Sequence, residues 1–349
     1  MILTDIAAGA MVAGLCAYAV LGGADFGAGF WDLTAGGAQR GARVRGLIKR
    51  SMGPVWEANH VWLIFVLVFF WTGFPSAFGA VMSTLYVPLF GAAVGIIFRG
   101  AAFAVRGEAA TIGEARLLGA TFALSSVLVP FFFGATVGAI ATGQVPAPPG
   151  GGDPIDSWTN TASIYIGVLA VATGAYLAAV FLAADAVRAD LPDLVRAFRF
   201  RALIAAAVAG ALAIGGIFVL RDDAPDLYDG LTSGVGLVIV AGSAGAGLLT
   251  LVLVFIGRFD VARFTSALAV GAIIVGLAVA QSPDLLPGVL TLSEAAAPDA
   301  TLVALLIVLG VAAVVLVPAL AWLYRLTLRG TLDTEFRPIV AADPPEKRS

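Results

Sequence analysis

The sequence predicts an all-α polytopic membrane protein of nine transmembrane helices, with its N-terminus outside and its C-terminus cytoplasmic. Three observations carry this. The 349 residues are 60% hydrophobic and only 12% charged, about half the charged share of a soluble domain. Apolar runs of the roughly 20 residues that a membrane crossing requires recur along the chain. Lys and Arg fall almost wholly on alternate connections between those runs, which is the positive-inside pattern.

The nine runs are 5–29, 56–74, 78–99, 116–141, 161–185, 201–220, 231–257, 261–281 and 301–325. The first has no basic segment before it and no clear small-residue cleavage site, so it reads as a retained span and not a signal peptide. The uncharged stretch Val61–Phe98 is far too long for one crossing at about 1.5 Å per residue. Its "TGFPSAFG" (Thr72–Gly79) supplies Gly and Pro as a break, which predicts a helical hairpin. The inner connections hold Arg40, Arg43, Arg45, Lys49 and Arg50, then Arg99, Arg106 and Arg116, then Arg188, Arg196, Arg199 and Arg201, then Arg258 and Arg263. After the ninth run come Arg325, Arg329, Arg337, Lys347 and Arg348. Of 20 basic residues only Arg221, within the acidic "RDDAPDLYD", lies on the other side.

The outer connections are different in kind. "TGQVPAPPGGGDPIDSW" (Thr142–Trp158) and "QSPDLLPGVLTLSEAAAPDA" (Gln281–Ala300) are rich in turn residues and lack Lys and Arg. They read as surface loops, with caps or partner-contact loops as the alternative. Four spans on each side of the 142–160 loop allow two four-helix bundles, 1–141 and 161–281. An outer loop and ninth helix follow over 282–329, then a polar cytoplasmic tail over 330–349 that reads as a mobile extension. The 42 glycines suit close helix approach in lipid, most visibly in "GSAGAG" (Gly242–Gly247).

Charges inside spans are costly and mark the places to look for chemistry. Asp25 sits between glycines in "GGADFGAGFWDL" (Gly22–Leu33), near the inner end of the first span. Glu57 opens the second span in "GPVWEANHVW" (Gly53–Trp62), and Arg99 ends the third. Topology therefore puts Asp25, Glu57 and Arg99 at similar depth. A buried carboxylate needs a nearby cation or takes up a proton, so these three predict either a proton-handling group or an ion-pair network that pins helices. Asp32 reads as a solvated or capping residue nearer the interface, and Asp185 and Arg188 also read as interfacial. His60, the only histidine, stands three residues from Glu57 and is placed to hydrogen-bond it. A metal site needs several ligands, and no second His exists to share one. Trp56 and Trp62 read as packing or interface-belt residues. Cys16 is alone, so no disulfide framework forms within the chain. No phosphate-binding loop or dinucleotide fingerprint is present. The basic residues are accounted for by topology, so nothing points to nucleic acid.

"GADFGAGF", a basic loop, "GPVWEANHVWLI", "FPSAF" and "IIFRGAAFAVR" (Ile96–Arg106), in that order, resemble subunit II of the cytochrome bd family of quinol oxidases. Asp25, Trp56, Glu57, Asn59, Trp62 and Arg99 occupy the positions of that family's motifs, all within the first hundred or so residues. The resemblance implies two four-helix bundles plus a peripheral ninth helix. It implies a terminal oxidase of the bacterial inner membrane that oxidises quinol and reduces O2 to water with cytoplasmic protons. Haem b and haem d would be held by the partner, subunit I, and not by this chain. Other implied partners are small accessory single-span subunits, lipid and quinone. Some family members hold a structural quinone in subunit II, and no motif here asserts or excludes one. By the same resemblance Glu57 leads a proton path with Asp25 and Arg99 beside it, while Trp56, Asn59, His60 and Trp62 support them. Two departures stand out: Glu57 replaces a frequent Asp, and His60 replaces a frequent Gln or other polar residue, which points His60 away from ligation and to a local proton or hydrogen-bonding role. Haem ligation usually takes His, Met, Cys or Tyr, and a chain with one His is ill-suited to carry three haems. The competing expectation is an ion-coupled secondary transporter, for which abundant glycine and the mid-helix prolines Pro88 and Pro130 would be suited.

Overall fold

In the computed structural model the described residues are 2–329, other than 38, 54, 107, 108, 110, 149 and 150. The expected tail, 330–349, lies outside them. In chain order the elements are α1 (Ile2–Leu33), α2 (Ala42–Met52), α3 (Trp56–Gly73), α4 (Pro75–Thr84), α5 (Tyr86–Val105), α6 (Ile112–Ala141), α7 (Asp156–Thr159), α8 (Thr161–Arg188), α9 (Pro192–Asp223), α10 (Pro225–Thr232), α11 (Gly234–Phe255) and α12 (Phe259–Gln281). They end with β1 (Asp284–Leu286), β2 (Leu290–Thr291), α13 (Leu292–Ala295) and α14 (Asp299–Leu328).

Among the described residues eight helices are long and apolar enough to cross a membrane: α1, α5, α6, α8, α9, α11, α12 and α14. The pair α2 and α3, taken together, would make a ninth. Polar Glu57, Asn59 and His60 in the first turns of α3 are what set that helix apart from the eight. Two expected spans begin with separate short helices. The run expected over 78–99 divides at Leu85, into α4 and α5. Pro75 starts α4 at a position where its missing N–H costs nothing, and Pro88 sits equally well in the first turn of α5. The run expected over 231–257 starts at Gly234, whose φ of +49° ends α10 and opens α11.

Helix α8 is the hub. It packs on α1, α6, α9 and α12, and its alanine-rich inner stretch, including Ala178, Ala179, Ala183 and Ala184, is fully buried. Small residues let the backbones touch, which is what association in lipid relies on. A Cβ on Gly27 of α1 would lie 1.9 Å from the Gly174 carbonyl oxygen of α8, so both positions must lack a side chain. Beyond the hub, α1 also packs on α3, α6 and α12, α5 on α6, and α11 on α12. Helix α14 touches α3 and α1 and leaves most of its length exposed.

At the end of the molecule where α3 gives way to α4, both Pro/Gly-rich connections fold onto the bundle. The β1–β2 hairpin is antiparallel, with Asp284 opposite Thr291 and Leu286 opposite Leu290. Leu286 and Val145 join Phe69, Phe74 and Leu85 in one apolar cluster. The Ala297 N–H donates to the Gly73 carbonyl at 2.8 Å, and the Gly152 N–H to Thr84 Oγ1 at 3.1 Å. These loops are caps, the alternative raised by their composition.

Candidate functional site

The opposite end carries nearly all of the basic residues and the buried ion pairs. Asp25 and Asp32 stand seven residues apart on α1, and Arg99 and Arg106 stand seven apart on α5 and at its C-terminal cap. Seven residues are two helical turns, about 10 Å along the axis, so each helix offers two like charges on one face. The result is two rungs, Asp25–Arg99 and Asp32–Arg106.

The Asp25–Arg99 rung is dry, with Asp25 0% and Arg99 2% exposed. One guanidinium nitrogen of Arg99, Nη2, donates to Asp25 Oδ1 at 2.8 Å and to the Asp25 carbonyl at 3.2 Å. Its Nε donates to Ser126 Oγ on α6 at 3.0 Å, and that hydroxyl donates onward to the Phe122 carbonyl at 2.7 Å. The guanidinium lies over the Phe26 and Phe122 rings, 4.9 and 4.8 Å from their centroids, an arrangement in which the ring faces attract the cation. Glycine makes the approach of Ser126 feasible, because a Cβ on Gly29 would fall 2.1 Å from its Oγ. A buried ion costs several kcal/mol unless charge and hydrogen bonds are matched, and here Arg99 is matched on every side named. Asp25 is not: its Oδ2 is buried without a hydrogen-bond partner among the described residues, as are Tyr18 Oη and Trp62 Nε1. An Asp with one oxygen paired and one free can hold its charge against Arg99 or take a proton on Oδ2.

The Asp32 rung is wetter. Asp32 is buried at 3% exposure, but its partners reach water. Arg106 forks onto both carboxylate oxygens and Arg45 donates from Nε to Oδ1 at 2.7 Å. Arg45 also caps the connection after α1 through the Gly36 and Gly37 carbonyls. Phe122 stands between the rungs, 5.8 Å from the Arg106 guanidinium. The expectation that Asp32 is solvated is therefore corrected: two arginines hold it inside, because α2 folds back over it. Asp185, near the end of α8 and partly exposed, pairs with both Arg188 and Arg263 across α8 and α12.

The motif on α3 divides between two faces. Asn59 is buried and points at α1, its Nδ2 donating to the Leu21 carbonyl at 3.3 Å while its Oδ1 accepts from Tyr324 of α14 at 2.7 Å. Glu57, two residues earlier and therefore about 200° around the helix, is exposed. Among the described residues it makes no hydrogen bond or ion pair, and it heads an exposed apolar stripe of Val61, Ile64, Val68 and Trp71. The expected His60–Glu57 hydrogen bond is not formed. His60 Nδ1 lies 2.8 Å from the Trp56 carbonyl, and a carbonyl only accepts, so Nδ1 carries the proton. The His60 ring meets Tyr18, Phe26 and Trp56 edge-on at 6.2, 5.8 and 6.3 Å. Trp56 also packs on Phe103 and Trp62 on Phe65.

The structure thus brings Asp25 and Arg99 together and leaves Glu57 apart. Ser126, Phe122, Asp32, Arg106 and Tyr324 complete the site without having been singled out as part of it. The equal seven-residue spacing of the two acids and the two arginines was the available signal for Asp32 and Arg106.

Fold and site together define a polytopic α-helical membrane protein with a carboxylate–guanidinium pair sealed inside its helix bundle. Residues 3–327 match the family model for cytochrome bd terminal oxidase subunit II, and the chain belongs to that family. It is a multi-pass protein of the inner membrane. It is 27% identical over 157 residues to the cytochrome bd ubiquinol oxidase subunit 2 of Bacillus subtilis (strain 168), a match spanning 44% of this chain and 43% of that protein. Its fold is similar to a chain in the structure of bd oxidase from Geobacillus thermodenitrificans, with a TM-score of 0.74, 24% identity, and coverage of 94% of this chain and 99% of that one. Nothing in these comparisons supports the transporter expectation.

Proposed function

We propose that this chain is the non-haem subunit of a bd-type quinol:O2 oxidoreductase, that it supports assembly of the haem-bearing subunit I, and that it supplies a proton-uptake path from the cytoplasm. The observation that carries the reading is the sealed Asp25–Arg99 pair with Asp25 Oδ2 left without a partner among the described residues. Reduction of O2 to water consumes protons. A proton taken on the open oxygen would neutralise Asp25 and leave the Arg99 charge to Ser126, the Asp25 carbonyl and the Phe26 and Phe122 ring faces, so Asp25 would hold a proton only in passing and hand it on. In this reading the Asp32, Arg106 and Arg45 rung is the wet mouth and Asp25 the inner station. Glu57 is a second carboxylate at the exposed edge of α3, on the stripe that suits a protein neighbour. Trp56, His60 and Trp62 pack the wall and Asn59 fixes α3 to α1.

The reading takes the two four-helix bundles to be α1, α3, α5, α6 and α8, α9, α11, α12, with α14 as the peripheral ninth helix. The charged end faces the cytoplasm, because the arginines of every alternate connection lie there. The donor chemistry of this chain does not suit a haem. It has one His, packed edge-on by three aromatic rings, and among the described residues no cluster of three or more His, Cys, Asp or Glu could hold a metal. Haem b and haem d are assigned to subunit I, which is also the principal partner.

The test is purification of the chain from its native membrane with its companions. Haem b and haem d bands in the visible spectrum, together with a second, histidine-richer membrane chain, are expected. A colourless chain that purifies stably alone would sink the assignment. Within the complex, Glu57→Gln is expected to assemble with full haem content and Asp25→Asn to assemble with a lowered unfolding midpoint, since Arg99 loses its counter-charge; both are expected to slow O2 reduction. Wild-type turnover in either variant removes that residue from the path.

A further inference from the structure

Helix α14 is apolar and exposed over most of its length, yet it sends one hydroxyl inward. Tyr324 Oη donates to Asn59 Oδ1 at 2.7 Å, and Asn59 Nδ2 donates to the Leu21 carbonyl at 3.3 Å. Asn59 is 2% exposed, so both of its polar ends are spent on this chain. Leu21 stands four residues before Asp25 in α1, and in helix geometry its carbonyl is the acceptor for the Asp25 N–H. The bonds therefore run from the outermost helix, through α3, to the turn of α1 that carries the buried carboxylate. Tyr324 is 265 residues from Asn59 in sequence, and neither Asp25 nor Arg99 is needed to form the link.

We propose that Tyr324 is a positioning residue: α14 uses its hydroxyl to lock Asn59, and Asn59 in turn fixes the α1 turn on which Asp25 meets Arg99. The proposal deepens the proton-uptake reading above and rests on it. A peripheral helix that only filled space would be served by phenylalanine, which keeps the ring and drops the hydroxyl. A positioning role instead requires the hydroxyl. It also requires that loss of either bond in the chain affect the same step.

The experiment uses the assembled oxidase. Tyr324→Phe, Asn59→Leu, the double variant and Asp25→Asn are compared for haem content, kcat and the KM for quinol. Tyr324→Phe is expected to assemble normally and to lower kcat between about two- and tenfold, the loss of one hydrogen bond, with KM unchanged. The double variant is expected to be no slower than the slower single variant, since both cut one chain. If Asp25→Asn is slow but Tyr324→Phe keeps wild-type kcat, the positioning role is overturned and the proton-uptake reading stands. Should Asp25→Asn also turn over at the wild-type rate, the reading itself fails and takes the proposal with it. If Tyr324→Phe does not assemble, Asn59→Leu decides by the same criteria. Failure of both to assemble makes the link a structural tie and overturns the proposal.

Discussion

Asp25–Arg99 and Asp193–Arg43 join the same two side-chain types across helices, in opposite surroundings. The first pair is sealed between α1, α5 and α6, with side-chain exposures of 2% for Arg99 and 0% for Asp25. The second bridges α2 and α9 at 2.6 Å with exposures of 60% and 41%. Distances alone would rank the exposed pair first. Water decides otherwise, because it screens the surface pair to about 0–1 kcal/mol. The buried pair has no solvent to fall back on, so each charge depends wholly on the other. Contact geometry is shared, and depth determines which pair has chemical potential.

The most severe way to break this contrast is Arg99→Met. It strands Asp25 in the bundle, and a loss of about 3–5 kcal/mol is expected, read as a marked drop in the thermal unfolding midpoint of the purified complex. Adding Asp25→Leu should recover much of that loss. An unchanged midpoint in the single variant would show that water reaches Asp25. The next largest effect tests what keeps water out. Gly27→Ala pushes a methyl group into the Gly174 backbone of α8, and a loss of about 1–3 kcal/mol is expected, with faster amide exchange along the inner half of α1. Normal exchange there would mean that α1 and α8 have room to spare.

At the exposed pole of the comparison, Arg43→Ala is expected to cost about 0.2–1 kcal/mol. That small cost should fade in 1 M salt, where the screening length is about 3 Å, whereas the Arg99→Met effect should persist. The smallest effect lies in the loop before α7. The Ile155 and Asp156 backbone N–H groups both donate to Asp153 Oδ1 at 2.8 Å, and they hold that carboxyl below its ordinary value. A lowered folded value means that the stabilisation is present above the unfolded value and is lost as pH falls through the folded one. Protection of the Ile155 and Asp156 amides should therefore be steady near neutrality and fall only in acid, below the ordinary carboxylate range. Amide exchange corrected for its intrinsic pH dependence measures this, and flat protection into strong acid would contradict it.

The depth of the charges was legible in the chain, because a charge in an apolar run is visible wherever it falls. Asp25 and Arg99 could be set at one level from the alternation of basic loops. Their contact could not be read that way: the backbone of α5 packs on α6, and Arg99 reaches Asp25 past Ser126 and Phe122, which look like ordinary helix residues. The rotation of α3 was also hidden. Glu57 and Asn59 are two residues apart in one motif, yet one faces outward and the other holds α1. Asp32 looked interfacial because nothing local shows α2 folding Arg45 back onto it. Both connections expected at the outer side kept their alternatives open until Leu286 and Val145 were seen in the apolar cluster.

The sequence by itself determined that the chain crosses the membrane many times, where its basic residues collect, and which motifs it shares with its family. Those properties are sums over short windows, since the cost of placing a residue in lipid depends first on that residue and its immediate neighbours. Only the tertiary structure decided which oxygen of Asp25 is held, which acid is sealed and which exposed, and that Tyr324 reaches Asn59. Those depend on the rotation of each helix about its axis, and that rotation is set by packing between residues far apart in the chain.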